Sequence, residues 1–142
     1  MGKVITLAEY KRLGWVQRGI LPVFCCRPSG SAEPVSLNHR LAELLQKVPI
    51  EKRSRKLKDC LDEALKELPE YSLVGSFDVL FHPDYKVDVL TTFIQLAKFH
   101  PMALLWPGTI SSDQLAYAEP GCQDYHAYQI KNYDIICIVE DA

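Results

Sequence analysis

Residues 71–128, YSLVGSFDVLFHPDYKVDVLTTFIQLAKFHPMALLWPGTISSDQLAYAEPGCQDYHAY, decide the fold. They read as a strand, a helix, a second strand and then a hairpin punctuated by Gly and Pro. The first strand spans 73–81, carries Asp78 near its end and is closed by His82-Pro83. Asp84 or Asp88 can start the helix that follows, which runs to about Phe99 with Val87, Leu90, Phe93, Ile94 and Ala97 facing inward. Residues 101–106, PMALLW, are short, continuous and apolar, as expected of a strand covered on both faces. Residues 114–118 and 133–139 supply the last two strands.

Upstream, Thr6 with Glu9 three residues later forms a capping box for a short helix that puts Leu7, Tyr10 and Leu13 on one face and stops at Gly14. Residues 20–26, ILPVFCC, read as a buried strand, and Pro22 argues for an edge position or the strand's first turn. Residues 27–34 are a loop by composition. Ser36 caps a helix to Lys47 with Leu37, Leu41, Leu44 and Leu45 on one stripe, and Pro49 breaks it. A second helix over 50–68 carries Leu57, Leu61, Ala64, Leu65 and Leu68 and ends at Pro69. Strands alternating with helices predict one α/β domain over residues 1–142, a small three-layer unit with a mostly parallel sheet.

Composition excludes several classes. The chain is 48% hydrophobic and 24% charged, with no apolar run near the roughly 20 residues of a membrane span. Its start lacks the apolar core of a signal peptide. A formal net charge of −2 gives no global attraction to nucleic acid. Five cysteines, Cys25, Cys26, Cys60, Cys122 and Cys137, are an odd number without framework spacing and read as reduced thiols of a cytoplasmic protein.

Asp78, Leu80, Phe81, Pro83, Asp88, Leu90, Trp106, Gly108, Tyr117, Ala118, Glu119, Pro120, Gly121 and Tyr125, in this order, resemble the C-terminal half of the small P-loop protein of bacteriophage-exclusion (BREX) defence systems. The most specific element is LAYAEPGCQDY, which resembles that family's L-x-Y-A-E-P-G-H-P-E-Y ending, with Cys122, Gln123 and Asp124 in place of H-P-E. The resemblance covers about residues 35–128 and takes in SLNHRLAELLQKVPIEKR. Trp106-Pro107-Gly108 is also similar to the strand end of a second small component of the same systems. The resemblance implies a P-loop NTPase-like topology and a role in antiviral defence and phage resistance.

The departures from that family concern the nucleotide site. A phosphate cradle needs G-x-x-x-x-G-K-[ST], so that backbone N–H groups, a lysine and a hydroxyl grip phosphate and Mg²⁺. Residues 26–33, CRPSGSAE, offer one glycine, no lysine and a repulsive Glu33; alternatively the cradle's strand and helix are missing altogether. Gly75 stands where the family has its Mg²⁺-side acid, leaving Asp78 alone. A degenerate P-loop with no bound cofactor and no metal is therefore expected. The expected role is non-catalytic: protein binding within a BREX-like system, regulating or bridging its other proteins. The alternative is a nucleotide- or DNA-binding ATPase subunit of that system, with Asp78 and Glu119 holding a metal at the sheet edge.

Other constellations carry a second reading beside a bland one. Ligands collect at the carboxyl ends of strands in open α/β sheets, so Asp78, Trp106, Gly108, Thr109 and Glu119 can line one crevice; equally, Trp106 can be a core plug and Gly108 part of a tight turn. Lys52, Arg53, Arg55, Lys56 and Lys58 can contact phosphates or an acidic partner, or form a solvated helix face interleaved with Glu51 and Asp59. Tyr117, Tyr125 and Tyr128, near Tyr133, suit an interface or pack on the sheet. Cys122, Asp124 and His126 share a loop that can bring a base to a thiol. Neither the cysteines nor His39, His82, His100 and His126 show zinc spacing.

Overall fold

The computed structural model describes residues 2–13, 20–26, 34–83, 85, 87–111, 113–119 and 121–140. Six parallel strands form the main sheet in the order β1-β9-β2-β5-β4-β3. They are β1 (Lys3–Thr6), β2 (Leu21–Phe24), β3 (Val35–Ser36), β4 (Ser72–Gly75), β5 (Met102–Leu105) and β9 (Ile135–Val139). Helices α1 (Leu7–Leu13), α2 (Asn38–Gln46), α3 (Arg53–Lys66) and α4 (Val89–Ala97) flank it. A second, antiparallel sheet holds β6 (Thr109–Ser111), β7 (Gln114–Tyr117) and β8 (His126–Gln129). Among the described residues no helix is long and apolar enough to cross a membrane.

The side-chain alternation of the strands divides the core. Leu21, Val23, Val74, Met102, Leu104, Ile135 and Cys137 face α2, α3 and α4, where Leu41, Leu61, Leu65, Leu90 and Phe93 cover them. Each such buried Leu or Phe contributes about 1.5–3 kcal/mol by leaving water. Phe24, Ala103, Ile136 and Ile138 face the other way and pack with Leu7 and Tyr10 of α1; the Tyr10 ring meets Phe24 edge-on at 5.2 Å. The outer layers are thus unequal: three helices on one face and, among the described residues, the short α1 on the other.

Several expectations hold. The Thr6 hydroxyl accepts from the Glu9 N–H at 3.2 Å, and the Asp88 carboxylate accepts from the Thr91 N–H at 3.0 Å, capping α1 and α4. Within the run 101–106, Met102–Leu105 form a central strand, with Met102, Ala103 and Leu104 buried as the continuous apolarity demands.

Others are corrected. Of the two placements expected for Pro22, the edge is excluded, because β2 lies between β9 and β5, and the start of the strand is the one found, Pro22 being the second residue of β2. The hydrogen bonds to the β9 side leave from Leu21 and Cys25, and the pairing with β5 begins only at Val23, so the missing N–H of Pro22 interrupts neither. The strand expected over 73–81 ends at Gly75: Ser76 takes φ 47°, and Asp78–Phe81 wind into a 3₁₀ turn that buries Leu80 and Phe81. Asp78 therefore lies past the strand, not at its end. Ser36 belongs to β3, and α2 starts after Leu37, whose N–H donates to the Gly75 and Ser76 carbonyls. The helix of 50–68 divides into a 3₁₀ turn, Ile50–Lys52, and α3. Strand 114–118 leaves the main sheet for the antiparallel one. Gly14, Asp84, Pro120 and nearly all of the cradle candidate 26–33 fall outside the described residues.

Candidate functional site

The carboxyl ends of β3, β4 and β5 deliver Asn38, Asp78 and Trp106 to one rim. Asn38 ties the rim together. Its N–H donates to the Ser76 carbonyl at 2.8 Å, its side-chain oxygen accepts from the Val79 N–H at 3.0 Å, and its amide reaches Asp78 Oδ1 at 3.5 Å. The Tyr117 hydroxyl donates to Asp78 Oδ2 at 2.9 Å. Burial, and then the bond to this carboxylate, push the Tyr117 pKa up to about 12. Both oxygens of Asp78 thus face donors of the chain itself.

Aromatic rings fill the space behind. Phe81 stacks flat on Tyr117, with centroids 4.0 Å apart and planes 5° apart. Trp106 meets the Phe81 ring at 89° and 5.7 Å and donates from Nε1 to the Ala116 carbonyl at 3.0 Å. With 5% of its surface exposed, Trp106 is a plug, and it occupies the crevice it was expected to line. Gly108 is required by close approach, since a Cβ there would collide with the Ala116 carbonyl. Thr109 is an exposed residue of β6. Glu119 is exposed in the turn after Ala118, whose φ is 62°, and its carbonyl accepts from the Cys122 N–H. The five crevice residues therefore separate into a satisfied acid, a plug, a packing glycine and two surface side chains.

The tyrosines separate as well. Tyr128 is a core residue rather than an interface one; its hydroxyl accepts from the Val89 N–H at 3.4 Å and its ring lies edge-on to Trp106. Tyr133 donates to Asp88 Oδ2 at 2.9 Å, and burial ahead of that bond raises its pKa to about 12. Tyr117 and Tyr125 are half-buried. His126 turns Nδ1 to the Asp124 carbonyl at 2.8 Å and sets its ring against Phe81, so it is engaged away from the exposed Cys122. Cys25, just past β2, is held below the ordinary thiol pKa by a hydrogen bond from Cys137 on β9.

The chain matches no protein-family profile, no curated protein and no solved structure.

The basic stretch lies at the α2–α3 corner. Arg53 Nε donates to the Val48 carbonyl at 3.0 Å, and Lys58 Nζ to Gln95 at 2.7 Å. Lys52, Arg55 and Lys56 are exposed. The first turn of α3 holds no acid, so these cations oppose the positive end of the helix, at about 0.3–1 kcal/mol each in low salt. At the amino edge of the sheet, Phe99 is 78% exposed beside a hollow of about 210 Å³ shared with Leu65, Ser72 and Met102. There Asp62 accepts from His100 at 2.7 Å and pairs with Lys66 at 3.3 Å, and the His100 bond chiefly holds its carboxyl below the usual range.

Sequence reasoning missed Asn38 and the Asp88–Tyr133 pair. Neither leaves a local signal, because the partners lie 40 and 45 positions away.

Proposed function

We propose that this chain is a non-catalytic component of a bacterial anti-phage defence system of the BREX type and acts by binding other proteins of that system. One observation carries the reading. Five of the fourteen residues behind the sequence resemblance converge in space: Asp78 and Phe81 both engage Tyr117, Trp106 packs on Phe81, and Gly108 fits under the residue before Tyr117. The resemblance therefore reads as a shared scaffold.

The P-loop-like topology belongs to the same proposal. β2 sits between β9 and β5, so a cradle following it would open at the middle of the carboxyl edge, where such sheets take ligands. Only residues 25–34, ten in all, join β2 to β3. A cradle of eight residues and the helix behind it need more chain than that. The segment contains no lysine. Asp78, held by Tyr117 and Asn38, is no free metal ligand. These features favour a scaffold that binds proteins over one that hydrolyses nucleotides.

Affinity capture of the tagged chain, co-expressed with the other proteins of a BREX-type system, tests the reading. A stoichiometric complex is the expected result, and elution of the chain alone would refute it. Calorimetry with Mg-ATP checks the non-catalytic half; tight binding would overturn it.

A further inference from the structure

Residues 47–58 carry six cations, Lys47, Lys52, Arg53, Arg55, Lys56 and Lys58, against one acid, Glu51, a local balance of +5. The whole chain stands at −2, so the remainder carries −7. Lys47, Lys52, Arg55 and Lys56 are exposed, and none forms an ion pair with a described residue. In their midst, on the turn between α2 and α3, Ile50 is 76% exposed. The corner is thus an apolar point among unpaired positive charges.

We propose that this corner docks an acidic segment of a partner protein that lays an apolar side chain over Ile50. The inference rests on the protein-binding reading above and names the chemistry of the partner. Unpaired like charges repel one another, and an anionic partner turns that repulsion into attraction. Ile50 then chooses between anions. A nucleic acid presents phosphate and sugar to a basic patch, and phosphate gains nothing from an aliphatic side chain at the centre of its contact. A protein interface has the opposite plan, with an apolar centre inside a polar and charged rim.

Fluorescence anisotropy with the full chain tests this. The probes are a short labelled peptide with acidic residues flanking a Leu–Phe pair, the same peptide with Ser–Ser in place of that pair, and a labelled DNA duplex. The apolar peptide binds about tenfold tighter than its Ser–Ser counterpart, the lower end of what burying an aliphatic side chain yields. Ile50→Ser removes that preference. Because the side chain is exposed, the variant keeps the wild-type circular dichroism spectrum and melting temperature. The Lys52→Glu, Arg55→Glu, Lys56→Glu triple variant weakens both peptides, and added salt weakens them on the wild type.

Equal binding of the two peptides, or no binding of either, overturns the proposal. So does duplex binding insensitive to Ile50→Ser with the peptides unbound, which would make the corner a nucleic-acid surface. Failure of the defence reading looks different: co-expressed proteins are not captured, while the apolar peptide still binds at Ile50. If capture succeeds and survives Ile50→Ser, the partner docks elsewhere and the corner proposal falls alone.

Discussion

Removing the Asp78 carboxylate should destabilise the fold rather than abolish a reaction. In Asp78→Ala, the Tyr117 hydroxyl loses its acceptor at 2.9 Å and the Asn38 amide loses a weaker one at 3.5 Å. A hydrogen bond to a charged group is worth about 1.5–3 kcal/mol. Both partners are half-buried, so water replaces part of the loss. The longer contact adds little, since bonds weaken steeply with length. The expected cost is about 1.5–2 kcal/mol, or roughly 5–8 °C of melting temperature for a chain of this size.

Tyr117→Phe keeps the ring stacked on Phe81 and removes only the hydroxyl, for about 1 kcal/mol. Because the two changes delete the same bond, the double variant should cost less than their sum by about 1 kcal/mol. Thermal and urea unfolding of the four proteins give this cycle directly. Additive losses would show that Asp78 and Tyr117 do not interact as described. An Asp78→Ala protein as stable as the wild type, or more so, would point instead to a carboxylate kept for chemistry at the expense of stability.

The remaining expectations are brief. Gly108→Ala drives a methyl group into the Ala116 carbonyl and should cost about 1–3 kcal/mol in urea unfolding. Burial raises Tyr117, Tyr128 and Tyr133, so the folded chain holds their protons where the unfolded chain releases them. That stability is complete below about pH 10 and declines as pH rises above it, and phenolate absorbance should show four of the seven tyrosines, Tyr10 with these three, titrating late unless urea is present. The carboxyls of Asp62 and Glu67 are depressed chiefly by His100 and Arg40. Their stabilisation is present above about pH 4 and fades as pH falls below it, so melting temperature measured against pH should lose its acid slope in part in His100→Ala. A thiol reagent should label the exposed Cys122 first, with the buried Cys60 and Cys137 protected until the chain unfolds.

What the sequence disclosed and what it hid follow from the range of the forces involved. α4 was legible because Asp88 caps it and Leu90 and Phe93 recur at helical spacing, all local facts. β5 was legible because a strand covered on both faces must be apolar throughout. β1, KVIT, and the two-residue β3 were not, since edge strands this short carry no period to detect. Pro22 left two placements open, edge or strand start, because its effect on a ladder depends on where a neighbour distant in sequence begins to pair. Asp78 was seen as an acid in the right region, but its role rests on Asn38 and Tyr117, about 40 positions away on either side. Whether an acid is free or satisfied is a tertiary fact. The same holds for Ile50, whose exposure makes the basic corner more than a charged helix face.

On the proposed scaffold reading, the difference between the packed aromatic residues and the 25–34 segment has a physical cause. Phe81 touches Phe77, Trp106, Tyr117 and His126, and truncating a fully buried Phe costs about 3–5 kcal/mol. Against a typical total stability of about 5–15 kcal/mol, the loss of one such ring threatens the whole fold. A phosphate cradle is constrained differently: its glycines and lysine lie on a surface loop and are held to their identities by the ligand alone. A scaffold that stops gripping phosphate can change its cradle freely and still cannot change its knot. The Trp106–Phe81–Tyr117 stack together with a 25–34 segment lacking lysine is the pattern that the proposed scaffold reading expects. On the proposed reading Trp106-Pro107-Gly108 keeps a shape, and recognition falls to the surface, where the exposed cations of the α2–α3 corner surround Ile50.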